Sequence, residues 1–412
     1  MDTFRKLAYA AAAAGMLAAC KGGGTAASLS PAPPPAVLNT VDLTVDTGPA
    51  AATGAVNHAY VTVKVCVPGS QTRCANVDHV LLDTGSVGLR LVASVLTAQG
   101  VTLSAQTDAQ GAAIEECLSF AGGQTWGPVA LADLSLAGES AAKLPVQIMD
   151  DAGAGAPPPA TCGANGTLID AVSGFDANGV LGVGVFAQDC GAACVGAAAP
   201  LALYYGCSAA GTCTAENVAL AEQVTNPVAM FAVDNNGVIV KLPNLQNANG
   251  DVSVQGELIF GIATQTDNAL PATGLTVLGA DGNGDFTAAY NGSATELPAL
   301  IDSGTDSYAF NDPSIAVCAS GDFVGYYCPA VAPQAAYAVN SGVGANNAVS
   351  TVNFAIADPD TFVAGAAAFE GLAGGGGSGS FTWGMPFFYG RNIYIAMDAR
   401  AAGAFTGPYY AY

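Results

Sequence analysis

The chain has 412 residues, a length that suits two domains. Lys and Arg total 10 against 32 Asp and Glu, a formal net charge of −22; this argues against nucleic acid as a partner, because phosphate binding needs clustered cations. Charged residues make up 10% and hydrophobic ones 51% of the chain, so disorder through charge excess is excluded.

The 52 Gly and 22 Pro point to a turn-rich β protein with a large core. His58 and His79 are its two histidines, which argues against a zinc site or a His-based triad. Acid–base chemistry, if present, falls to carboxylates. No metal and no organic cofactor is implied.

The first twenty residues carry a basic start, Arg5-Lys6, then an uncharged apolar run, Leu7 to Ala19. That run is too short for a bilayer-spanning helix, which needs about 20 residues, and suits a secretory signal. Leu17-Ala18-Ala19-Cys20 resembles the bacterial lipobox, which makes Cys20 the expected lipidation site and residues 1–19 a signal peptide. Lys21 at the next position favours the outer membrane of a Gram-negative cell envelope. Residues 20–40 then read as the lipidated Cys and a Gly/Pro linker that buries no core.

There are 11 cysteines. Setting Cys20 aside leaves an even number, the expected mark of disulfides in an exported chain. Local pairing would join Cys66 to Cys74, Cys190 to Cys194, Cys207 to Cys213 and Cys318 to Cys328, leaving Cys117 for Cys162. Cross-pairing of Cys190 and Cys194 with Cys207 and Cys213 is an open alternative.

From about residue 56 the chain reads as short strands separated by turns. Strands are expected at 59–67, 77–92, 132–138, 144–150, 256–263, 351–357 and 392–399. Segment 228–242 reads as a hairpin turning at Asn235-Asn236-Gly237, and 216–224 is the best helix candidate. Asp281 to Asp285 reads as a polar hairpin tip; it starts like a calcium loop, but Phe286 and Gly292 fill the positions that need Gly and an acid.

An internal repeat carries the functional signal. Residues 79–86 end in Leu81-Leu82-Asp83-Thr84-Gly85-Ser86, and residues 298–305 end in Leu300-Ile301-Asp302-Ser303-Gly304-Thr305. Each has two bulky apolar residues, an Asp, a hydroxyl, a Gly and a second hydroxyl, and the two lie about half a chain apart. An apolar strand running into a tight Gly turn presents the Asp partly desolvated, and flanking hydroxyls donate to it. Two such loops facing one another would make their carboxyls share a proton. Asp46-Thr47-Gly48 also matches the tripeptide, but Pro49 follows it, and it reads as a turn ending the first strand.

These extended motifs resemble those of the pepsin-like aspartic peptidases, and more closely those of an uncharacterised family of bacterial lipoproteins, over residues 56–400. The resemblance implies an all-β, bilobal fold with a central cleft and few short helices. Its lobes would be residues 41–226, with a Cys-rich insertion, and residues 227–412. It implies Asp83 and Asp302 as catalytic pair, Ser86 and Thr305 bonding their outer oxygens, and Thr84 and Ser303 tying the loops together, with Gly85 and Gly304 at the turns. Gly179–Gly184 and Phe381–Phe388 would complete the two loops.

Phe120, Gly122, Gly123 and Trp126 fall in the expected flap, Phe120 where the family usually has Tyr; Trp126 is a candidate to supply an indole N–H in its place. The expected activity is a monomeric endopeptidase acting on a peptide or protein substrate, touching the membrane through its lipid alone. The alternative is an inactive lipoprotein that binds a partner in the same cleft.

Overall fold

The computed structural model describes residues 38–412, apart from Thr53, 163–165 and Ser378; Cys20 and the signal segment lie outside the described residues. Alternation builds some of the strands. In Ala59–Cys66, Val61, Val63 and Val65 are buried while Thr62 and Lys64 are exposed, so one face packs on the core. Other strands are buried on both faces: every residue of Val87–Val92 and of Gly179–Val183 is buried.

The same four-strand arrangement occurs twice. Gly179–Val183 lies between Cys74–Asp83, parallel with Asp83 opposite Gly182, and Val87–Val92, antiparallel with Val87 opposite Val183. Val87–Val92 then runs parallel to Glu139–Met149. In the second half, Phe381–Trp383 lies between Leu297–Ile301, parallel, and Tyr308–Phe310, antiparallel; Tyr308–Phe310 runs parallel to Ala373–Gly375. Because both strands flanking each Asp motif pair with one middle strand, the motif itself must turn across the end of that strand.

A shared sheet joins the halves. Thr40–Val45 pairs with Val254–Phe260, which continues through Gly237–Lys241 and Asn392–Ala396 to Tyr409–Ala411. The fold is therefore mostly β and bilobal, as the repeat implied, within one compact unit, Val37–Tyr412. All five disulfides follow the local pairing: Cys66–Cys74, Cys117–Cys162, Cys190–Cys194, Cys207–Cys213 and Cys318–Cys328. Cys117–Cys162 spans 45 residues, and closing a loop of that size removes about 4 kcal/mol of unfolded-chain entropy.

Three local expectations differ from the structure. Segment 216–224 is not a helix; it holds a single 3-10 turn, Leu220–Glu222. Its backbone instead bonds the Cys-rich insertion, with Glu216 N donating to Tyr204 O and Val218 N to Cys194 O, while buried Gln223 exchanges two bonds with the Gly191 backbone. Residues 228–242 are not a hairpin. Asn226 caps a 3-10 turn at Pro227–Met230, and the strand is only Gly237–Lys241, since the Asn236 amide is drawn away to Ile262 O and Ala401 O. Asp281–Asp285 forms a polar turn, but its flanking strands Val277–Gly279 and Phe286–Tyr290 pair elsewhere, so it is no hairpin tip. The Asp46 turn is as expected: its carboxylate accepts from Gly48 N at 2.9 Å.

Several carboxyls are buried without cations. Burial first, then Asp150, pushes Glu115 up to about 8; burial first, then the charge and hydrogen bond of Asp234, pushes Glu139 up to about 7. These groups titrate at 4.5 when unperturbed. Stability derived from keeping them protonated is complete below 4.5 and is lost as pH rises through 7 and then 8. The melting temperature should therefore fall across that window, and Glu139→Gln should flatten the fall. A melting temperature that climbs from pH 4.5 to 8 would contradict this account.

Candidate active site

Each Asp stands where a buried apolar strand ends in the tight turn. Gly85 N donates to Asp83 Oδ1 at 2.8 Å, Ser86 N to the same oxygen at 3.1 Å, and Ser86 Oγ to Oδ2. In the second loop Gly304 N donates to Asp302 Oδ1 at 2.8 Å and Thr305 Oγ1 to Oδ2 at 2.6 Å. The two turns thus hold their carboxylates in the same way.

The loops meet. Gly85 N also lies 3.2 Å from Asp302 Oδ1, so one N–H faces both carboxyls, and the charge of Asp302 bears on Asp83. Glycine is required here by space. A Cβ on Gly85 would lie 2.5 Å from Asp302 Cγ, and one on Gly304 2.7 Å from Asp83 Cγ. Only bare backbone lets each carboxyl reach across the opposite turn.

Thr84 and Ser303 complete the junction beneath. Thr84 Oγ1 accepts from Ser303 N at 2.9 Å and donates to Ile301 O at 2.9 Å. Ser303 Oγ accepts from Thr84 N at 3.2 Å and donates to Leu82 O at 2.7 Å. Both residues are buried, while Gly85 is exposed above them, so the pair of acids opens to solvent on one side.

Burial, then the charge of Asp302 and its hydrogen bond, push Asp83 up to about 8, against the opposing donors Ser86 and Gly85. A carboxyl set close to a second carboxyl ionises less readily, because two like charges at short range repel.

The expected flap is a hairpin. Ala113–Phe120 pairs with Gly123–Leu136, Phe120 opposite Gly123, leaving Ala121 and Gly122 exposed at the tip. Phe120 packs edge-to-face on Phe175 at 5.0 Å. Trp126 does not serve the site. It is 2% exposed, its indole N–H donates to Ala156 O at 2.7 Å, and its ring meets Tyr205 beside Cys117, Cys162 and Cys207. A flap strand alternates its side chains, and this one turns Trp126 into the disulfide-rich core.

Arg90 is the neighbour of the first Asp loop that motif reading missed. It is fully buried seven positions after Asp83, in Val87–Val92. Its Nη1 donates to Val87 O at 2.6 Å, holding the strand that leaves the first Asp loop. Nη2 pairs with Glu116 at 2.6 Å, on the flap, and with Asp189 at 3.0 Å, in the Cys-rich insertion. The guanidinium also lies 5.8 Å from the Phe120 ring.

Burial above all pushes Glu116 well up, against the attraction of Arg90, and the Asp189 carboxylate also accepts from Tyr204 at 2.7 Å. The signal was present: a lone Arg in an apolar strand must find a partner when buried.

The solved aspartic proteinase from Irpex lacteus is similar to this chain, with a TM-score of 0.53, 14% identity, and coverage of 91% of this chain and 96% of that one. At that identity the likeness shows the fold: this is a pepsin-like aspartic proteinase architecture. No curated protein matches the sequence. The chain belongs to the family described as "Protein of unknown function (DUF3443)", whose model matches residues 35–412.

Removing one partner of a buried ion pair strands the other, at a cost of about 3–5 kcal/mol. Arg90→Met should lose stability of that order in urea unfolding, and Asp189→Asn added to it should recover part of the loss. If Arg90→Met unfolds at the wild-type midpoint, the pairing does not hold the flap to the first lobe.

Proposed function

We propose that the protein is an exported, lipid-anchored aspartic endopeptidase whose dyad is Asp83 and Asp302. The observation that carries this reading is that Gly85 N reaches both carboxyls, each wrapped by its own turn. A water lying between them gives its proton to the ionised member and attacks the peptide carbonyl. The protonated member donates to the developing oxyanion, then passes the proton toward the leaving amine. Ser86 and Thr305 keep the outer oxygens oriented; Thr84 and Ser303 keep the loops in register. Cleavage requires one proton on the pair, so activity should fall as pH rises through about 8.

Phe120 favours a second reading. Without a hydroxyl the flap residue covers but does not donate, which suits a binding protein that retains the fold and holds a peptide or protein partner in its cleft. The two readings separate on Asn variants, since Asn nearly matches Asp in shape. Asp83→Asn and Asp302→Asn should each abolish cleavage of a mixed peptide library read by mass spectrometry. The double variant should be no worse, because the pair acts as one unit. Should the wild type cut nothing at any pH, or both single variants cut normally, the binding reading replaces the enzymatic one.

The anchor is a separate proposal, carried by Leu17-Ala18-Ala19-Cys20. Cys20→Ser should release the protein from the membrane fraction or block its processing. Unchanged fractionation together with unchanged mass would remove the anchor from the account.

A further inference from the structure

A second cavity in the second half of the chain is lined by neither Asp83 nor Asp302. Tyr308 is 3% exposed, and its hydroxyl has no hydrogen-bond partner among the described residues. It lines a cavity of about 560 Å³ together with Phe354, Pro333, Asn249, Glu370 and Arg391, a volume within the usual range for small-ligand sites. The hydroxyl is not sealed off from solvent, so a molecule in the cavity can reach it.

The charges of the cavity are unpaired as well. Arg391 Nη1 donates to Phe387 O at 2.8 Å and Tyr389 O at 3.4 Å, and the Phe387 ring holds the guanidinium at 4.4 Å. Its Nε and Nη2 have no acceptor among the described residues, and no carboxylate comes within the 4.0 Å of an ion pair. Glu370 is exposed, lines the same cavity and has no cation partner there. Both charges act on the Tyr308 hydroxyl. The site therefore presents two donors for an anion, the carboxylates of Glu370 and Asp358 as acceptors for a cation, and an aromatic wall where Phe354 meets Tyr308 at 4.8 Å.

We propose that this cavity binds a zwitterionic amino acid or short peptide with an apolar side chain. Arg391 and Tyr308 take the α-carboxylate, Glu370 takes the ammonium, and Phe354 with Pro333 receives the side chain. The site does not depend on the dyad being catalytic.

The test is isothermal titration of the full chain carrying Asp83→Asn, so that no probe is cleaved. Phenylalanine and the dipeptide Ala-Phe are the probes, with N-acetylphenylalanine and phenylalaninamide as controls that lose one charge each. Saturable binding of either probe is expected, and the tighter of the two identifies a free amino acid or a short peptide as the ligand. Each control should bind at least about tenfold more weakly, as should the probe to Tyr308→Phe, the loss expected for one hydrogen bond to a charged group. Glu370→Gln alters an exposed side chain and leaves folding intact; with it, phenylalanine should bind no better than N-acetylphenylalanine. No saturable binding of either probe overturns the proposal, and so does binding that Tyr308→Phe and Glu370→Gln both leave unchanged.

Discussion

Four hydrogen bonds across the lobe boundary govern the geometry of everything above them. Thr84 and Ser303 each accept from the other's backbone N–H and donate to a carbonyl of the opposite apolar strand. Each bond contributes only about 0.5–1.5 kcal/mol net, yet all four are buried and reciprocal, so none breaks without leaving a polar group stranded. They hold two independent strand ends at one spacing. Only at that spacing does Gly85 reach both carboxyls, and only then does the absence of a Cβ matter.

The same constraint explains how the molecule distributes charge. A chain with 32 acids and 10 bases must leave most of its carboxyls without a cation, buried ones among them. Asp83 instead faces the charge of Asp302, and Glu139 that of Asp234, and burial together with these neighbours pushes both carboxyls up. Arg90 is the exception, and its position is informative. One guanidinium ties the exit of the first Asp loop, the flap strand and the Cys-rich insertion together. The flap is thereby joined to the dyad's own scaffold, and the insertion closes over the ion pair and keeps it dry.

Two aromatic residues show what governs side-chain direction in this fold. Phe120 and Trp126 lie on one strand pair, within a few residues of each other. Phe120 meets Phe175 and the Arg90 guanidinium, while Trp126 is enclosed by Tyr205 and two disulfides. The replacement donor expected at the flap is therefore absent from Trp126, and no nearby residue in sequence announced this. Its surroundings come from segments 156–162 and 204–207, far away along the chain.

The Asp-hydroxyl-Gly-hydroxyl repeats were legible because each encodes its own turn: the Gly, the donors and the carboxylate lie within four residues of one another. Two copies at lobe spacing then determined the bilobal plan, and the alternation of Val61, Val63 and Val65 determined its strands. The disulfide partners followed from nearness in the chain, which favours the shortest loops. Tertiary contacts decided the rest. Segment 216–224 gave up a helical pattern for backbone bonds to the Cys-rich insertion, Arg90 acquired partners 26 and 99 residues away, and Tyr308 was set on a cavity wall beside Arg391. Local pattern specifies backbone shape, because turns and strands are made by neighbours; the partner of a buried polar side chain is supplied by whichever distant segment the fold brings against it.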